Sequence, residues 1–498
     1  MSVVKNITMR QYNGTDYDTL YPKTVGQQVL LNDSDLAELY GVNSVTGTVH
    51  DALWNIGIVQ LNNVYSTPPP RHSTDELSTT YKAAYMGAAP LLGGCILAGG
   101  RNGSNAKNTV IKYDMDGVIT NAASGLTTAK SNMASGSLIS GNQSRSFFAC
   151  GTTDGVTGIN TIDVYSENLI KLNVSGTAVD SVFDCGSALV GDYFVIAGGR
   201  TNSSTTSLNV YGYNFALVKQ TFTSLSLSRS ELAGASIMDS TLGAPSICFF
   251  VGGENNGNVT NTVDSYTNTG THSTLSFVRG VRALSASSST NTSGYAIFAG
   301  GSLLPSDSSD GTNPMQEMYA YDSNSVLQSI GYKILYHLTS YDTTAGSSTV
   351  YFEPEFVYFA GGVTPGYLPD GTRPFQTRLV TTVDKNLLIG SVVTNSQLQN
   401  ARAMMAGVCY ADANKENVVT LFAGGIDGYD NGITYSNNID KYTDGYSVEI
   451  KIPPFSSYKF DGIHAEEQHT AVGLTYVGSE PISGYIRLGG LTLSGLLE

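Results

Sequence analysis

An all-β fold, with sheets set around an axis as a β-propeller, is what this chain of 498 residues predicts, and three observations predict it. One phrase recurs: a hydrophobic run, a Gly-Gly pair, a polar loop, and a second run ending near a tyrosine. Tyr193-Phe194-Val195-Ile196-Ala197 leads into Gly198-Gly199, a loop of Arg, Thr, Asn and Ser follows, and Leu208-Asn209-Val210-Tyr211 comes next. The phrase returns at Gly99-Gly100, Gly252-Gly253, Gly300-Gly301, Gly361-Gly362, Gly424-Gly425 and Gly489-Gly490, with an eroded copy at Phe147-Phe148-Ala149-Cys150-Gly151. Its spacing of about 50 to 65 residues suits blades built only of strands and turns. The later runs, such as Val110-Ile111-Lys112-Tyr113 and Val263-Asp264-Ser265-Tyr266, alternate with the two-residue period of a strand covered on one face.

Residues 1–56 read as an N-terminal arm and 57–498 as the propeller. In the arm, Asn13-Gly14 marks a tight turn between short extended pieces. Two small helices are expected. One spans residues 32–40, capped by Asn32 or Ser34 and stopped by Gly41; the other spans 49–55, opened by Thr48 and Asp51. Trp54, the single tryptophan, reads as packing between arm and main domain. Residues 58–65 are extended, and their Leu61-Asn62-Asn63-Val64-Tyr65 echoes the strand that follows a glycine pair. The last phrase, at Gly489-Gly490, lacks such a strand, so residues 57–65 would complete that blade from the other end and remove the free edges. Counted so, the ring has eight blades, with seven as the alternative.

Each blade opens on a strand of small residues, such as Glu231-Leu232-Ala233-Gly234-Ala235-Ser236 or Ala403-Met404-Met405-Ala406-Gly407-Val408, suited to a crowded centre. A basic residue often precedes that strand: Lys130, Arg229, Arg279 and Arg402. Its repetition argues for a structural role, tying blades together through backbone carbonyls. The glycine pairs allow positive φ and close approach of neighbouring strands. Polar insertions at 302–316, 341–354 and 363–376 enlarge the later blades. The first and third follow glycine pairs and therefore share one face of the disc.

Charged residues make up only 13% of the chain, yet 41% is hydrophobic, so the composition is not that of a disordered chain. The net charge of -15 repels nucleic-acid backbones. Cys95, Cys150, Cys185, Cys248 and Cys409 have no metal or disulfide spacing and read as buried hydrophobes. The N-terminus has no signal-peptide core, and no run reaches transmembrane length. His464 and His469 flank Glu466 and Glu467, and Asp307 lies near Asp310, but neither set has the spacing of a metal loop. No nucleophile, P-loop or zinc-protease motif occurs. No catalytic residue, cofactor or metal is therefore expected. Tyrosine, Asn, Ser and Thr on loops suit sugar rings and protein surfaces.

Over roughly residues 78–490, the glycine pair with its following tyrosine resembles the kelch family, although the family's outer-strand tryptophan is missing and no BTB or F-box region accompanies it. That resemblance implies a propeller that binds protein or glycan. The arm adds a second resemblance. Ile7-Thr8-Met9-Arg10-Gln11-Tyr12-Asn13-Gly14-Thr15-Asp16-Tyr17-Asp18-Thr19-Leu20-Tyr21-Pro22-Lys23-Thr24 is similar to the leader of tail and baseplate proteins in phages and prophages of Gram-positive bacteria. The segment from Val29 to Leu53 resembles the short-fibre linkers that follow such leaders. The resemblance implies a virion protein made in the host cytoplasm without a signal peptide. Tyr12, Asn13, Gly14, Thr15, Tyr17, Asp18, Leu20, Tyr21, Pro22 and Lys23 would join it to other virion or baseplate proteins. The propeller would face a host-surface glycan or protein, and the chain would form a homo-oligomer, commonly a trimer. It would insert in no membrane. A purely architectural baseplate protein and a glycan-degrading enzyme are the alternatives.

Overall fold

The computed structural model describes residues 71–443 apart from 175–178, 240–243, 290–293, 304–314, 316, 333–355, 363–377, 379, 385–388, 391–396, 415–416 and 428–433, together with short strands between 9 and 20 and between 457 and 493. The chain divides into Pro70–Asp444 and a second unit made of Met1–Pro69 and Gly445–Glu498. The larger unit is an all-β propeller. Its described residues include a single 3-10 turn, Thr79–Tyr81.

Among the described residues, six complete four-stranded antiparallel blades are present. Five are simple meanders over residues 87–121, 134–172, 186–221, 233–276 and 285–332, called here the first to fifth blades. A three-stranded sheet follows: Phe356–Ala360, Val380–Asp384 and Ile389–Gly390. The sixth blade combines Ala406–Ala411, Val418–Ala423 and Asn438–Thr443 with an outer strand, Arg71–Glu76, from the start of the unit.

This corrects the expected count of eight blades, with seven as the alternative, to six complete ones. An N-terminal strand does complete a blade: Arg71–Glu76 completes that of Gly424-Gly425. Of the final phrase, Ile486–Leu488 pairs with Leu491–Leu493 as a two-stranded sheet in the second unit. The helices expected at 32–40 and 49–55, and residues 57–65 themselves, lie outside the described residues.

Why these segments form blades is visible in the packing. Second strands such as Tyr193–Ala197 are buried on both faces, so they read as unbroken hydrophobic runs. First strands are small because they approach one another closely. A Cβ on Gly234 would stand 2.1 Å from the carbonyl oxygen of Ser187 in the neighbouring blade, a distance no side chain tolerates. Serines on these strands hold the neighbour directly: Ser236 Oγ accepts from Leu189 N at 2.8 Å, and Ser135 Oγ accepts from Ala88 N at 3.1 Å.

Apolar layers between sheets carry the core. Leu91 and Ile96 of the first blade pack with Met133, Phe148 and Tyr165 of the second. Val357 and Phe359 of the three-stranded sheet meet Ile297 and Met318 of the fifth, while its Tyr358 and Val380 meet Phe422 and Tyr442 of the sixth. The circuit closes where Val408, Leu421 and Ile439 of the sixth blade bury Leu97, Ile111 and Tyr113 of the first.

Candidate functional site

The glycine pair sets up the site. Gly198 and Gly199 adopt φ of +63° and +94°, in the left-handed region, and so do the other described pairs: Gly99-Gly100, Gly252-Gly253, Gly300-Gly301, Gly361-Gly362 and Gly424-Gly425. A Cβ on Gly198 would stand 2.5 Å from the carbonyl oxygen of Arg229. The Gly199 N–H donates to that same carbonyl at 2.9 Å, linking the third blade to the fourth. Gly100 to Lys130, Gly253 to Val281, Gly362 to Arg402 and Gly425 to Ala83 repeat the bond. Gly489 and Gly490 lie outside the described residues.

The side chain of the same accepting residue works inside its own blade. Lys130 donates to the carbonyls of Phe148 and Thr161 and meets Asp163 at 3.0 Å. Arg229 donates to Gly252 O and Phe250 O and meets Asp264 at 2.7 Å. Arg402 donates to Gly424 O and Asn438 O and meets Asp440. The other oxygen of each aspartate accepts a backbone N–H, from Thr127, Ser226 or Gln399, and faces a second base: Lys171, His272 or His72. The Asp–His pairs look catalytic in isolation. There are two of them, and a third blade has Lys171 in the same place; this recurrence, with the inner base fully buried, marks the arrangement as a tie within a blade. Arg279 does not share the position, contrary to expectation. Val281 does, and Arg279 is a half-exposed partner of Glu317 at 2.8 Å.

Two residues beyond each accepting residue, the backbone turns left-handed without glycine. Tyr85, Asn132, Asp184, Glu231, Ala283 and Met404 have φ between +51° and +59°. Each such residue costs about 1 to 2 kcal/mol in isolation. They are held because they form a ring of hydrogen bonds from blade to blade. Tyr85 N donates to Met404 O at 3.1 Å, Asn132 N to Tyr85 O at 3.3 Å, Asp184 N to Asn132 O at 3.3 Å, Glu231 N to Asp184 O at 2.8 Å, and Ala283 N to Glu231 O at 2.9 Å. Beside this series, a single bridge pairs the preceding residue with the one just after each glycine pair, as in Ala84–Arg101, Phe183–Arg200 and Ser230–Glu254.

Among the described residues, these two sets of side chains form a polar constellation that does not repeat from blade to blade. Arg200 stacks on Phe183 and reaches Asp184 at 2.5 Å and Glu231 at 3.3 Å. Arg282 reaches Glu231 at 2.5 Å and Glu254 at 3.5 Å. Asn132 Nδ2 donates to Asp184 Oδ1 at 2.8 Å. One nitrogen of Arg200 serves both carboxylates, so those oxygens lie within about 6 Å, a separation used by paired glycosidase carboxylates. Here both acids are nearly buried and held by arginines, an arrangement that fixes their side chains in place. Arg101 occupies the position of Arg200 in the first blade. It lies over the Tyr85 ring, 5.4 Å from its centre, and among the described residues has no carboxylate partner.

Of the attachment residues, Tyr12 pairs with Tyr17, Gln11 with Asp18 and Met9 with Leu20 in a hairpin; Asn13, Gly14, Thr15, Tyr21, Pro22 and Lys23 lie outside the described residues, as do Asp307 and Asp310. The five cysteines are buried and form no disulfide, and burial pushes the Cys95 and Cys248 thiols well up, so these two stay protonated. Among the described residues, no cluster of three or more His, Cys, Asp or Glu could hold a metal ion, and no helix is long and apolar enough to cross a membrane. Compared with known proteins, the sequence matches no family model and no curated protein.

Proposed function

We propose that this chain is a structural component of a phage or phage-tail-like particle, joined to its neighbours by the N-terminal segment and binding a host-surface glycan through a kelch-type propeller. The observation that carries the reading is the division of the chain. The propeller closes on itself through Arg71–Glu76, which leaves residues 1–69 for another task. The leader-like sequence from Ile7 to Thr24 lies there, with its described strands paired as a hairpin. Binding is favoured over hydrolysis because the acids at the ring are locked to arginines. Several copies, three in the usual arrangement of such particles, would turn weak sugar contacts into firm attachment.

The test has two arms. Labelled full-length protein is applied to a panel of Gram-positive cells and purified wall fractions, where saturable binding is expected. Antibody labelling of induced particles is expected at the tail end. Folded protein that binds no cell or wall fraction ends the host-binding half, and unlabelled particles end the virion half.

A further inference from the structure

We infer that Arg101, Tyr85 and Asn132 form a subsite for a carboxylate-bearing sugar, a uronic acid or a related acidic residue of a glycan. The inference rests on the host-glycan reading above and narrows it to a chemical class. It begins from two equivalent positions that are satisfied differently. Arg200, just after its glycine pair, faces the ring residue of its own blade, Asp184, and that of the next, Glu231, and binds both. Arg101 is its counterpart in the first blade. The corresponding ring residues there are Tyr85 and Asn132. An aromatic ring and an amide thus stand where the other arginine finds two carboxylates.

Arg101 is consequently the member of the constellation with an unneutralised charge. Its Nε is buried with no hydrogen-bond acceptor, and its guanidinium lies over Tyr85. Its Nη1 packs against Gly155, where a Cβ would stand 2.5 Å away, so the glycine lets the guanidinium lie there, with Nη2 farther from it. A guanidinium fork binds a planar carboxylate through two parallel hydrogen bonds. An aromatic face stacks against a sugar ring, and an amide both donates and accepts. Arg101, Tyr85 and Asn132 are each partly exposed, whereas Asp184, Glu231 and Arg282 are nearly buried. The chain's net charge of -15 does not forbid an anionic ligand, because charges beyond about 8 Å are screened at physiological salt and the contact is local.

Binding of full-length protein to oligogalacturonic acid, to its carboxyl-reduced neutral counterpart, and to an oligoglutamate of matched charge, measured by calorimetry, tests the inference. The acidic sugar should bind and the other two should not. Arg101→Ala should weaken binding about 10- to 100-fold, the range of a lost charge-assisted hydrogen-bond pair, with no loss of thermal stability. Arg101→Lys keeps the charge without the fork and should still lose most of the affinity. Tyr85→Asp supplies the carboxylate that Arg200 already has, and should abolish binding in a folded protein because aspartate accepts positive φ more readily than tyrosine. Equal binding of the acidic and neutral sugars, equal binding of oligoglutamate, or unchanged affinity in folded Arg101→Ala each overturns the inference. The two readings fail separately. Cell binding that survives Arg101→Ala removes this subsite and keeps host attachment. Acidic-sugar binding without cell binding does the reverse.

Discussion

Tyr113, Tyr165, Tyr266 and Tyr321 each lie near the end of a third strand, buried, with the hydroxyl aimed at the preceding blade. Tyr165 donates to Ser124 O at 3.1 Å, Tyr266 to Thr223 O at 2.9 Å, and Tyr321 to Ser276 O at 3.1 Å. Tyr113 continues the series across the closure, donating to Asp75 of the sixth blade's outer strand at 2.6 Å. Tyr213 holds the same place in the third blade, but its buried hydroxyl has no partner. Tyr211, the tyrosine that ends the repeated phrase in the sequence, lies two residues earlier, is only partly buried and donates to Asp180 at 3.0 Å. The two hydroxyls should respond differently to removal. Tyr266→Phe strands a carbonyl and should cost about 1 kcal/mol, whereas Tyr213→Phe deletes an unsatisfied donor and should be neutral or stabilising by up to about 1 kcal/mol. Urea midpoints of the two variants check this, and equal losses would refute it.

At the scale of the blade, two solutions alternate. The second, fourth and sixth blades pair a buried base with an aspartate: Lys130 with Asp163, Arg229 with Asp264, Arg402 with Asp440. The first, third and fifth place Ala83, Val182 and Val281 at the base position, and Ile111, Tyr211 and Tyr319 at that of the acid. The pair is therefore exchanged as a unit, as expected when breaking a buried pair is far more costly than replacing both partners. Arg229→Ala should cost about 3 to 5 kcal/mol by leaving Asp264 buried without its guanidinium partner. Arg229→Val with Asp264→Tyr, the combination native to the third and fifth blades, should recover at least about 1 kcal/mol of that loss in a double-mutant cycle.

The same pairs set the acid limit. Burial pushes the Asp163 and Asp264 carboxyls up, but Lys130 and Arg229, with hydrogen bonds from Lys171 and His272 and from Thr127 and Ser226, hold them below the usual carboxylate range. A depressed folded value means that the unfolded chain binds protons first. Their stabilisation is thus complete above about pH 5 and is lost as pH falls below about 4, through the folded values. Asp264→Asn, less stable at pH 7, should show a shallower further loss on acidification, measured by urea midpoints at pH 7, 5 and 3.5. An unchanged slope would remove Asp264 from the acid response.

The pairs were half legible. Lys130, Arg229 and Arg402 stood out because a base before a run of small residues is conspicuous, and their carbonyl contacts follow from burial. Arg279 misled because it sits two residues early, where only the backbone bond from Gly253 to Val281 reveals the register. The left-handed series was not legible. Tyr85, Asn132, Asp184, Glu231, Ala283 and Met404 share no chemistry, since backbone hydrogen bonds, not side chains, impose their shared conformation.

For the whole molecule, repeat counting overshot because a glycine pair between hydrophobic runs also suits an isolated hairpin, and Ile486–Leu488 with Leu491–Leu493 is one. The closing strand escaped notice because Arg71-His72-Ser73-Thr74-Asp75-Glu76 has no hydrophobic alternation. An outer strand needs little. It pairs with Asn438–Thr443 through its backbone, His72 stacks on Tyr442 at 4.8 Å and reaches Asp440 at 2.8 Å, and Leu77 N donates to Asn437 O at 2.7 Å. Ring closure thus depends on a polar segment 368 residues from its partner in sequence. Until that strand docks, Asn438–Thr443 is a bare edge, open to pairing with another chain. Cysteines at the register partners Ser73 and Lys441 should therefore form a disulfide under mild oxidation, because direct cross-strand partners fall within bridging distance and the five native thiols are buried. The crosslink removes strand release as a route to opening, so the oxidised variant should gain about 2 to 4 kcal/mol and aggregate less on heating than its reduced form. A pair that fails to crosslink, or that crosslinks with no gain in stability or in resistance to aggregation, would show that the ring is not held shut at this seam.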